Sequence, residues 1–408
     1  MVQDLALQRN KYKHLSDEEW RWFLQQVEGR ERTADKLPTF AAIDDWWYPV
    51  RLSCEQCSSE ATARYKASIL PSFQGEELRS IGLPVAVRRT IRGRLLDLTG
   101  GYGVDTYFLS EHFSHTDYVE QNAELCRIAA HNFQRPTPTL PKGKEITVHN
   151  CTAEEFLKNH LSSISNHLYD LIFLDPARRD SHGGKVFKLA DCTPNVVELL
   201  PALLTHGKRI MIKLSPMLDI TQAVTTLSQV TWDIYVVAIK NEVKEVLLLS
   251  GGSGRITAID LSKKEQAFIF TREEESVSEA VCQSEGRSVL CQTQSVYLFE
   301  PNASILKAGA YKLVAQRFGL RKLDTNTHLY TSETLVENFP GRVWKVKEPT
   351  PPLPKGKEIK QATVLVRNYP LTAEQLKKKL HLRDGGTAFV IGCRVAGKPT
   401  VFLADRLQ

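Results

Sequence analysis

The chain has 408 residues, of which 42% are hydrophobic and 25% are charged. A single domain typically has roughly 100–200 residues, so we expect between two and four domains. The composition is that of an ordinary globular protein and excludes a fibrous or wholly disordered chain. The formal net charge of +6 is compatible with an anionic partner but does not require one.

Targeting and redox signals point to the cytoplasm. The first residues lack the basic head and apolar run of a secretory signal, and no stretch reaches the roughly 20 apolar residues that a membrane-spanning helix needs. The eight cysteines stand mostly alone, which is typical of a reducing compartment. Cys54 and Cys57 have metal-ligand spacing but no second pair nearby, so we expect no metal, with a zinc or redox role as the alternative.

The first ninety residues have helical signals. Ser16 and Glu19 form a capping box ahead of a segment that bears Trp, Phe and Leu. Apolar residues recur at helical spacing from Glu60 to Leu70. Residues 1–90 are therefore predicted to form a helical N-terminal region.

From Arg92 to Gly252, strand and helix patterns alternate. The predicted strands are 92–98, 116–120, 145–149, 169–174, 208–214, 231–239 and 244–250, and the predicted helices are 104–112, 122–133, 153–165, 193–205 and 217–228. The last two strands are close enough to form a hairpin. This alternation predicts a doubly wound α/β domain over residues 91–254, with seven strands of which one is antiparallel.

The remainder of the chain is predicted to form two small α/β units, over residues 255–334 and 335–408. The first contains a helix from Ala303 to Phe318, with caps at Asn302 and Gly319. The second has strands near 343–347, 362–367, 387–393 and 400–404, a proline-rich stretch at 349–354, and a helix with three consecutive lysines that is capped by Thr372.

A glycine-rich turn follows the first predicted strand. Gly101 and Gly103 let the backbone approach a ligand closely, and the next helix presents free amide groups to it. Thr106 stands where a dinucleotide dehydrogenase needs its third glycine, and the acid Asp97 suits a cation better than a pyrophosphate. The ammonium and sulfonium of S-adenosylmethionine fit such a turn, whereas the alternative is a plain strand-to-helix connection.

Polar residues end the second and third predicted strands. Glu120 can accept hydrogen bonds from both hydroxyls of a ribose, although an acid there also complements the dipole of the following helix. Asn150 stands where an acid would meet the amino group of an adenine. We expect Asn150, or the backbone after it, to make that contact.

The ends of the fourth and fifth strands supply the catalytic and substrate candidates. Asp175 and Pro176 end the fourth strand at the crevice edge of the sheet and are the predicted catalytic residues. Arg178 and Arg179 could stack on a base or bind a phosphate, or they form a solvated basic loop. Lys213 is predicted to contact substrate, and its alternative is a lysine that extends from a strand end into solvent.

These residues carry a resemblance to a known family. The ordered set Asp97 to Gly103, Glu120, and Asp175 with Pro176 resembles motifs I, II and IV of class I S-adenosylmethionine-dependent methyltransferases. Thr99, where the first glycine usually stands, makes the turn similar to that of bacterial RNA guanine-N2 methyltransferases. Enzymes that methylate nitrogen usually have a second proline and an aromatic residue where this chain has Ala177 and Arg178. The resemblance implies roles for these cofactor-binding residues: Asp97, Thr99, Gly101, Gly103, Glu120 and Asn150.

The whole layout is similar to bacterial methyltransferase-like proteins with a ferredoxin-like unit and a THUMP-like C-terminal domain. The segments Glu300–Lys312, 326–330 and 339–342 carry that similarity. It implies a Rossmann-like seven-stranded methyltransferase sheet, S-adenosyl-L-methionine as cofactor, and rRNA or tRNA as the substrate, with guanine N2 as the candidate atom. A non-catalytic protein that binds S-adenosylmethionine and RNA, or a small-molecule methyltransferase, remain the alternatives.

Overall fold

The computed structural model describes residues 9–70, 93–134, 145–161, 169–178, 189–262, 267–279, 296–347 and 359–407. The chain forms two compact units. The first comprises Met1–Trp232 and Leu247–Gly251, and the second comprises Asp233–Val246 and Gly252–Gln408. Among the described segments, no helix is both long and apolar enough to cross a membrane.

The first unit begins with helices. These are α1 (Asp17–Thr33), α2 (Pro38–Ala41), α3 (Arg51–Gln56) and α4 (Glu60–Ile69). The predicted capping box at Ser16 is confirmed, since the Glu19 amide donates to the Ser16 hydroxyl and the Ser16 amide donates to the Glu19 carboxylate. The Ser59 side chain caps α4 in the same way by accepting from the amide of Thr62.

Strands and helices then alternate as predicted. The strands are β1 (Arg94–Asp97), β2 (His115–Glu120), β3 (Glu145–Asn150), β4 (Leu171–Leu174), the short β5 (Ala177–Arg178) and β6 (Cys192–Thr193), β7 (Ile210–Leu214), β8 (Trp232–Ile239) and β9 (Glu242–Ser250). The helices between them are α5 (Val104–Leu109), α6 (Ala123–Phe133), α7 (Ala153–Phe156), α8 (Val196–His206) and α9 (Ile220–Thr226). Part of the predicted helix 153–165 lies outside the described residues.

The large sheet combines parallel and antiparallel strand pairs. Its order over the described residues is β3-β2-β1-β4-β7-β9-β8, extended by β10 (Arg255–Asp260) and β11 (Phe268–Thr271). Strands β1, β2, β3, β4 and β7 are parallel to their neighbours within this group. The β8–β9 hairpin turns through Lys240 and Asn241, both in the left-handed region. The predicted Rossmann-like sheet is confirmed, and β10 adds a parallel partner to β8.

The second unit also contains an antiparallel-rich sheet of smaller strands. They are β12 (Tyr297–Pro301), β13 (Arg321–Asp324), β14 (Thr327–Ser332), β15 (Gly341–Val346), β16 (Thr363–Arg367), β17 (Ala388–Val395) and β18 (Lys398–Arg406). Their order over the described residues is β13-β14-β12-β15-β18-β17-β16. The helices are α10 (Arg272–Val277), α11 (Ala303–Ala308), α12 (Tyr311–Phe318) and α13 (Ala373–Lys379). The proline-rich stretch at 349–354 lies outside the described residues.

The prediction of one helix from Ala303 to Phe318 is wrong. The structure has two helices there, α11 and α12, because Gly309 adopts a φ of +85° and ends α11. Its amide donates to the carbonyls of Ile305 and Leu306, which closes the first helix. The predicted caps at the outer ends, Asn302 and Gly319, are both present.

A buried carboxylate on β2 contacts residues of the two adjacent strands and a residue that precedes β4. Asp117 of β2 accepts hydrogen bonds from Arg94 at 2.8 Å and from the Tyr169 hydroxyl at 2.8 Å, and it lies 2.8 Å from Nε2 of His149. Burial alone would raise the pKa of Asp117. The hydrogen bonds from His149, Arg94 and Tyr169 outweigh it and hold that pKa well below its usual range.

We therefore expect Asp117→Asn to destabilise the first unit at neutral pH by about 2 kcal/mol, because a neutral amide loses the charge-assisted hydrogen bond from Arg94 and is a poorer acceptor for the Tyr169 hydroxyl. Since the folded-state pKa is depressed, the carboxylate stabilises the fold above its unfolded-state pKa, and this contribution is lost as pH falls through the folded-state value. Urea unfolding of wild type and variant between pH 3 and pH 7 measures it. The exposed Asp44→Asn is the control, and an equal loss in both variants would contradict the prediction.

Candidate functional site

Close packing around the glycine turn between β1 and α5 leaves no room for side chains at two of its three glycines. A Cβ on Gly100 would lie 2.1 Å from the Tyr118 ring, and one on Gly103 would lie 2.5 Å from the Phe133 ring. Gly101 and Gly103 have φ values of +56° and +81°. A Cβ on Gly101 would instead meet only the Thr99 carbonyl oxygen, at an ordinary contact distance of 3.8 Å, and otherwise unfilled space. The turn is therefore tightly packed at Gly100 and Gly103 and has free space next to Gly101.

Asp97, at the end of β1, holds this turn together from inside. It is 1% exposed. One carboxylate oxygen accepts from the Thr99 amide at 3.0 Å and the other from the Thr106 hydroxyl at 2.5 Å. Burial raises the pKa of Asp97 to about 7 despite these two hydrogen bonds. Thr106, which replaces the dehydrogenase glycine, thus has a defined task in fixing Asp97.

Glu120 fixes the same turn from the neighbouring strand. Its two carboxylate oxygens accept from the amides of Gly101 at 2.9 Å and Asn122 at 2.8 Å. Asn150 lies at the end of the next strand, and its amide donates to the carbonyls of Glu120 at 3.0 Å and Gln121 at 3.1 Å. The structure therefore brings Gly101, Glu120 and Asn150 together at the carboxyl edge of the sheet.

The end of β4 meets the turn through a direct hydrogen bond. The Asp175 amide donates to the Thr99 hydroxyl at 2.6 Å, so the threonine in the unusual first position connects the two motifs. The Asp175 side chain is 38% exposed and lies 2.5 Å from Nζ of Lys213. Pro176, which follows, is half-buried. The candidate catalytic residue is thus next to the turn and partly open to solvent.

Lys213 does not extend into solvent, so that alternative for it is wrong. Its side chain is 13% exposed, and its ammonium lies 3.6 Å from Asp105 as well as beside Asp175. It also donates to the Ser58 hydroxyl at 3.0 Å. Sequence reasoning missed Asp105, Ser58 and Lys66, which form the buried side of this cluster. The sequence could have indicated Lys66, because its helical position places it on the same face of α4 as the buried Ala63 and Ala67.

The two arginine candidates lie where the described segment 169–178 ends. Residue Arg178 lies in β5, which pairs with β6 through Cys192, but its side chain lies outside the described part of the structure. Arg179 lies outside the described residues altogether. A substrate role for both remains a prediction.

The Cys54 and Cys57 thiols make local hydrogen bonds. Sγ of Cys54 lies 3.4 Å from the Pro49 carbonyl, and Sγ of Cys57 lies 3.2 Å from the Cys54 carbonyl. Burial raises the pKa of Cys54 to about 12 and also raises that of Cys57. Within the described residues, no group of three or more His, Cys, Asp or Glu side chains is placed to hold a metal ion.

Similarity to a solved structure covers nearly the whole chain. The crystal structure of a "putative methyltransferase" from Porphyromonas gingivalis W83 is 31% identical, with a TM-score of 0.78. The match covers 97% of this chain and 92% of that one. This chain belongs to the same methyltransferase family.

Two domain families match the C-terminal part of the chain, and more distant solved structures overlap less of it. A family described as a ferredoxin-like domain matches residues 297–340, and one described as THUMP domain-like matches residues 341–406. Human methyltransferase-like protein 13 in complex with SAH is 15% identical, with a TM-score of 0.29, over 39% of this chain and 72% of that one. A SAM-dependent methyltransferase from Agrobacterium tumefaciens is 15% identical, with a TM-score of 0.30, over 40% and 56%. No curated protein matches the sequence.

Membership of a methyltransferase family implies a methyl donor, and the predicted donor is S-adenosyl-L-methionine. The residues at the carboxyl edge of the sheet fit this cofactor. Gly101 leaves open space above the turn, and Glu120 and Asp175 are partly exposed acids beside it. Acidic groups of this kind complement ribose hydroxyls and a cationic ligand.

We expect Gly101→Ala to weaken cofactor binding about tenfold or more, because the methyl group would fill the open space that the turn leaves for a ligand. Isothermal titration with S-adenosyl-L-homocysteine measures the Kd. Gly319→Ala is the matched control, since Gly319 also has a left-handed φ, of +62°, and a Cβ there meets nothing within 4 Å. Wild-type affinity in Gly101→Ala, with equal loss of stability in both variants, would contradict the placement of the cofactor.

Proposed function

We propose that this methyltransferase modifies a base of rRNA or tRNA, with guanine N2 as the candidate atom. The observation that carries the RNA part is the THUMP domain-like match over residues 341–406. This segment contains α13, where Leu376 is buried while Lys378 and Lys379 are exposed. An exposed pair of cations on one helix suits a phosphate backbone, and the net charge of +6 agrees with such a partner.

The cofactor residues of this proposal are those at the edge of the sheet. Gly101 and Gly103 shape the turn, Asp97 and Thr99 hold it in place, and Glu120 accepts the ribose hydroxyls. The Asn150 amide nitrogen donates to the carbonyls of Glu120 and Gln121, so its side-chain oxygen is the group that we assign to the adenine amino group.

S-adenosyl-L-methionine supplies a methyl group that the sulfonium has already activated. The protein therefore needs mainly to align the nucleophile with the methyl group and to exclude water. We assign Asp175, with the carbonyl of Pro176, to accept hydrogen bonds from the attacking amino group and to direct its lone pair. When bound, the cofactor would give its methyl group to the nitrogen and leave as S-adenosyl-L-homocysteine, and the methylated amino group would pass its proton to solvent water.

The departures at Ala177 and Arg178 bear on the choice of nucleophile. Without the usual second proline and aromatic residue, the target base lacks its ordinary stacking partner at this position. We assign that role to the guanidinium of Arg178 or Arg179, which can stack on a base or bind a phosphate. A small-molecule substrate is the competing possibility, and the RNA-binding measurement below distinguishes the two.

We expect Asp175→Asn to lower kcat for methyl transfer to RNA about 100-fold or more, since a preorganised acceptor contributes on that scale. The assay uses radiolabelled S-adenosyl-L-methionine with undermodified ribosomal and transfer RNA, and mass spectrometry identifies the methylated nucleoside. Asp191→Asn, at an exposed acid, is the control. Full turnover in Asp175→Asn with normal cofactor binding would remove Asp175 from the mechanism.

We expect Lys378→Glu with Lys379→Glu to weaken RNA binding about tenfold at low salt, because phosphate contacts dominate affinity and depend on ionic strength. Fluorescence anisotropy with labelled transfer RNA at two salt concentrations gives the Kd and its salt dependence. Lys345→Glu with Lys398→Glu makes the same charge change at other exposed positions of the same segment. Equal loss in the two double variants would mean that net charge, and not α13, governs binding.

A further inference from the structure

Four charged side chains of alternating sign extend from the interior to the candidate catalytic residue. Lys66 lies 3.2 Å from Asp105, Asp105 lies 3.6 Å from Lys213, and Lys213 lies 2.5 Å from Asp175. The exposed fractions of the side chains are 0% for Lys66, 10% for Asp105, 13% for Lys213 and 38% for Asp175. The row thus begins fully buried in α4 and ends at the open edge of the sheet.

Burial makes this row sensitive to the loss of any member. Removing one partner of a buried ion pair leaves an uncompensated charge, which is strongly unfavourable. Burial by itself would raise the pKa of Asp105, but Lys66 and Lys213 together hold it below its usual value. Asp105 therefore remains a carboxylate between two ammonium groups.

The Lys213 ammonium has acceptors on several sides. A lysine has three N–H donors, and the acceptors within reach are the Ser58 hydroxyl, Asp105 and Asp175. Ser58 in turn donates to Asp105 at 2.7 Å. Lys213 is consequently held by Ser58 and Asp105 from the interior and pairs with one oxygen of Asp175.

We propose that Lys213 is a positioning residue for Asp175, and that two residues of the helical N-terminal segment hold Lys213 in place, Ser58 directly and Lys66 through Asp105. This inference rests on the proposed function, in which Asp175 directs the nucleophile. One Asp175 oxygen is fixed by Lys213, which leaves the other to accept a hydrogen bond from the substrate. The N-terminal helices are then part of the catalytic apparatus and do more than cover the sheet.

The test compares Lys213→Met, Lys213→Arg and Lys66→Met with a matched control, Lys208→Met. Lys208 lies 2.8 Å from Asp170. These two residues precede β7 and β4, so their ion pair lies at the ends of the strands opposite to Lys213 and Asp175. For each variant we would measure thermal unfolding, the Kd for S-adenosyl-L-homocysteine, and kcat and KM for RNA methylation. A crystal structure of Lys213→Met shows where the Asp175 carboxylate lies.

A positioning role predicts that Lys213→Met lowers kcat about 30-fold or more, leaves the cofactor Kd within about twofold, and releases the Asp175 carboxylate into another rotamer. Lys213→Arg should recover part of the rate, and Lys208→Met should change neither kcat nor Kd. Unchanged kcat in Lys213→Met would overturn the proposal. So would a raised KM for RNA with Asp175 unmoved, which would make Lys213 a substrate contact.

Failure of the proposed function is recognisable separately. If wild type methylates no RNA, the RNA assignment falls, and the position of Asp175 in Lys213→Met alone decides the inference. If Lys66→Met does not fold, Lys213→Met still decides it, because that variant keeps the Lys66–Asp105 pair. An Asp175 carboxylate in its wild-type position in Lys213→Met would overturn the positioning role in either case.

Discussion

The fully buried ammonium of Lys66 imposes the constraint from which the first unit is best understood. A lysine removed from water needs a nearby carboxylate, or it must lose its proton. Asp105 supplies that carboxylate from the first turn of α5, at 3.2 Å. Helix α4 and helix α5 are therefore connected by charge as well as by apolar packing, and the same Asp105 extends the connection to Lys213 at the end of β7.

The glycine turn depends on this arrangement because it leads into the same helix. Gly103 caps α5 with a left-handed conformation, two residues before Asp105. Asp97 holds the turn from below through Thr99 and Thr106, and Glu120 holds it from the side through the Gly101 amide. The open space above Gly101 is thus bounded by groups whose positions are set by buried hydrogen bonds, which is what a preorganised cofactor site requires.

Different parts of the molecule identify the family and bear on the substrate. The relative from Porphyromonas gingivalis W83 identifies the methyltransferase family. The C-terminal part of the chain matches a ferredoxin-like family and a THUMP domain-like family. A fold of this kind supports many substrates, so the proposal of RNA rests on the THUMP domain-like match and on the exposed Lys378 and Lys379, not on the methyltransferase sheet.

The sequence by itself determined the class of fold and the edge of the sheet where the site lies. Alternating strand and helix patterns and the acid-glycine turn are local signals, because period and turn chemistry are properties of neighbouring residues. Asp97, Gly101, Glu120 and Asp175 were identifiable for that reason, since each ends or follows a strand. Thr99 was noticed as an unusual residue, but its hydrogen bond to the Asp175 amide could not be derived from its position in the chain.

Only the tertiary structure decided what Lys213 contacts. Its acceptors, Ser58, Asp105 and Asp175, are distant from it and from one another in the chain, and no periodicity relates them. The break at Gly309 was also invisible to the pattern, since a glycine near the middle of an apolar helical run can either continue or end a helix. Contacts between distant residues, and left-handed glycines within a periodic segment, depend on packing that local sequence does not encode.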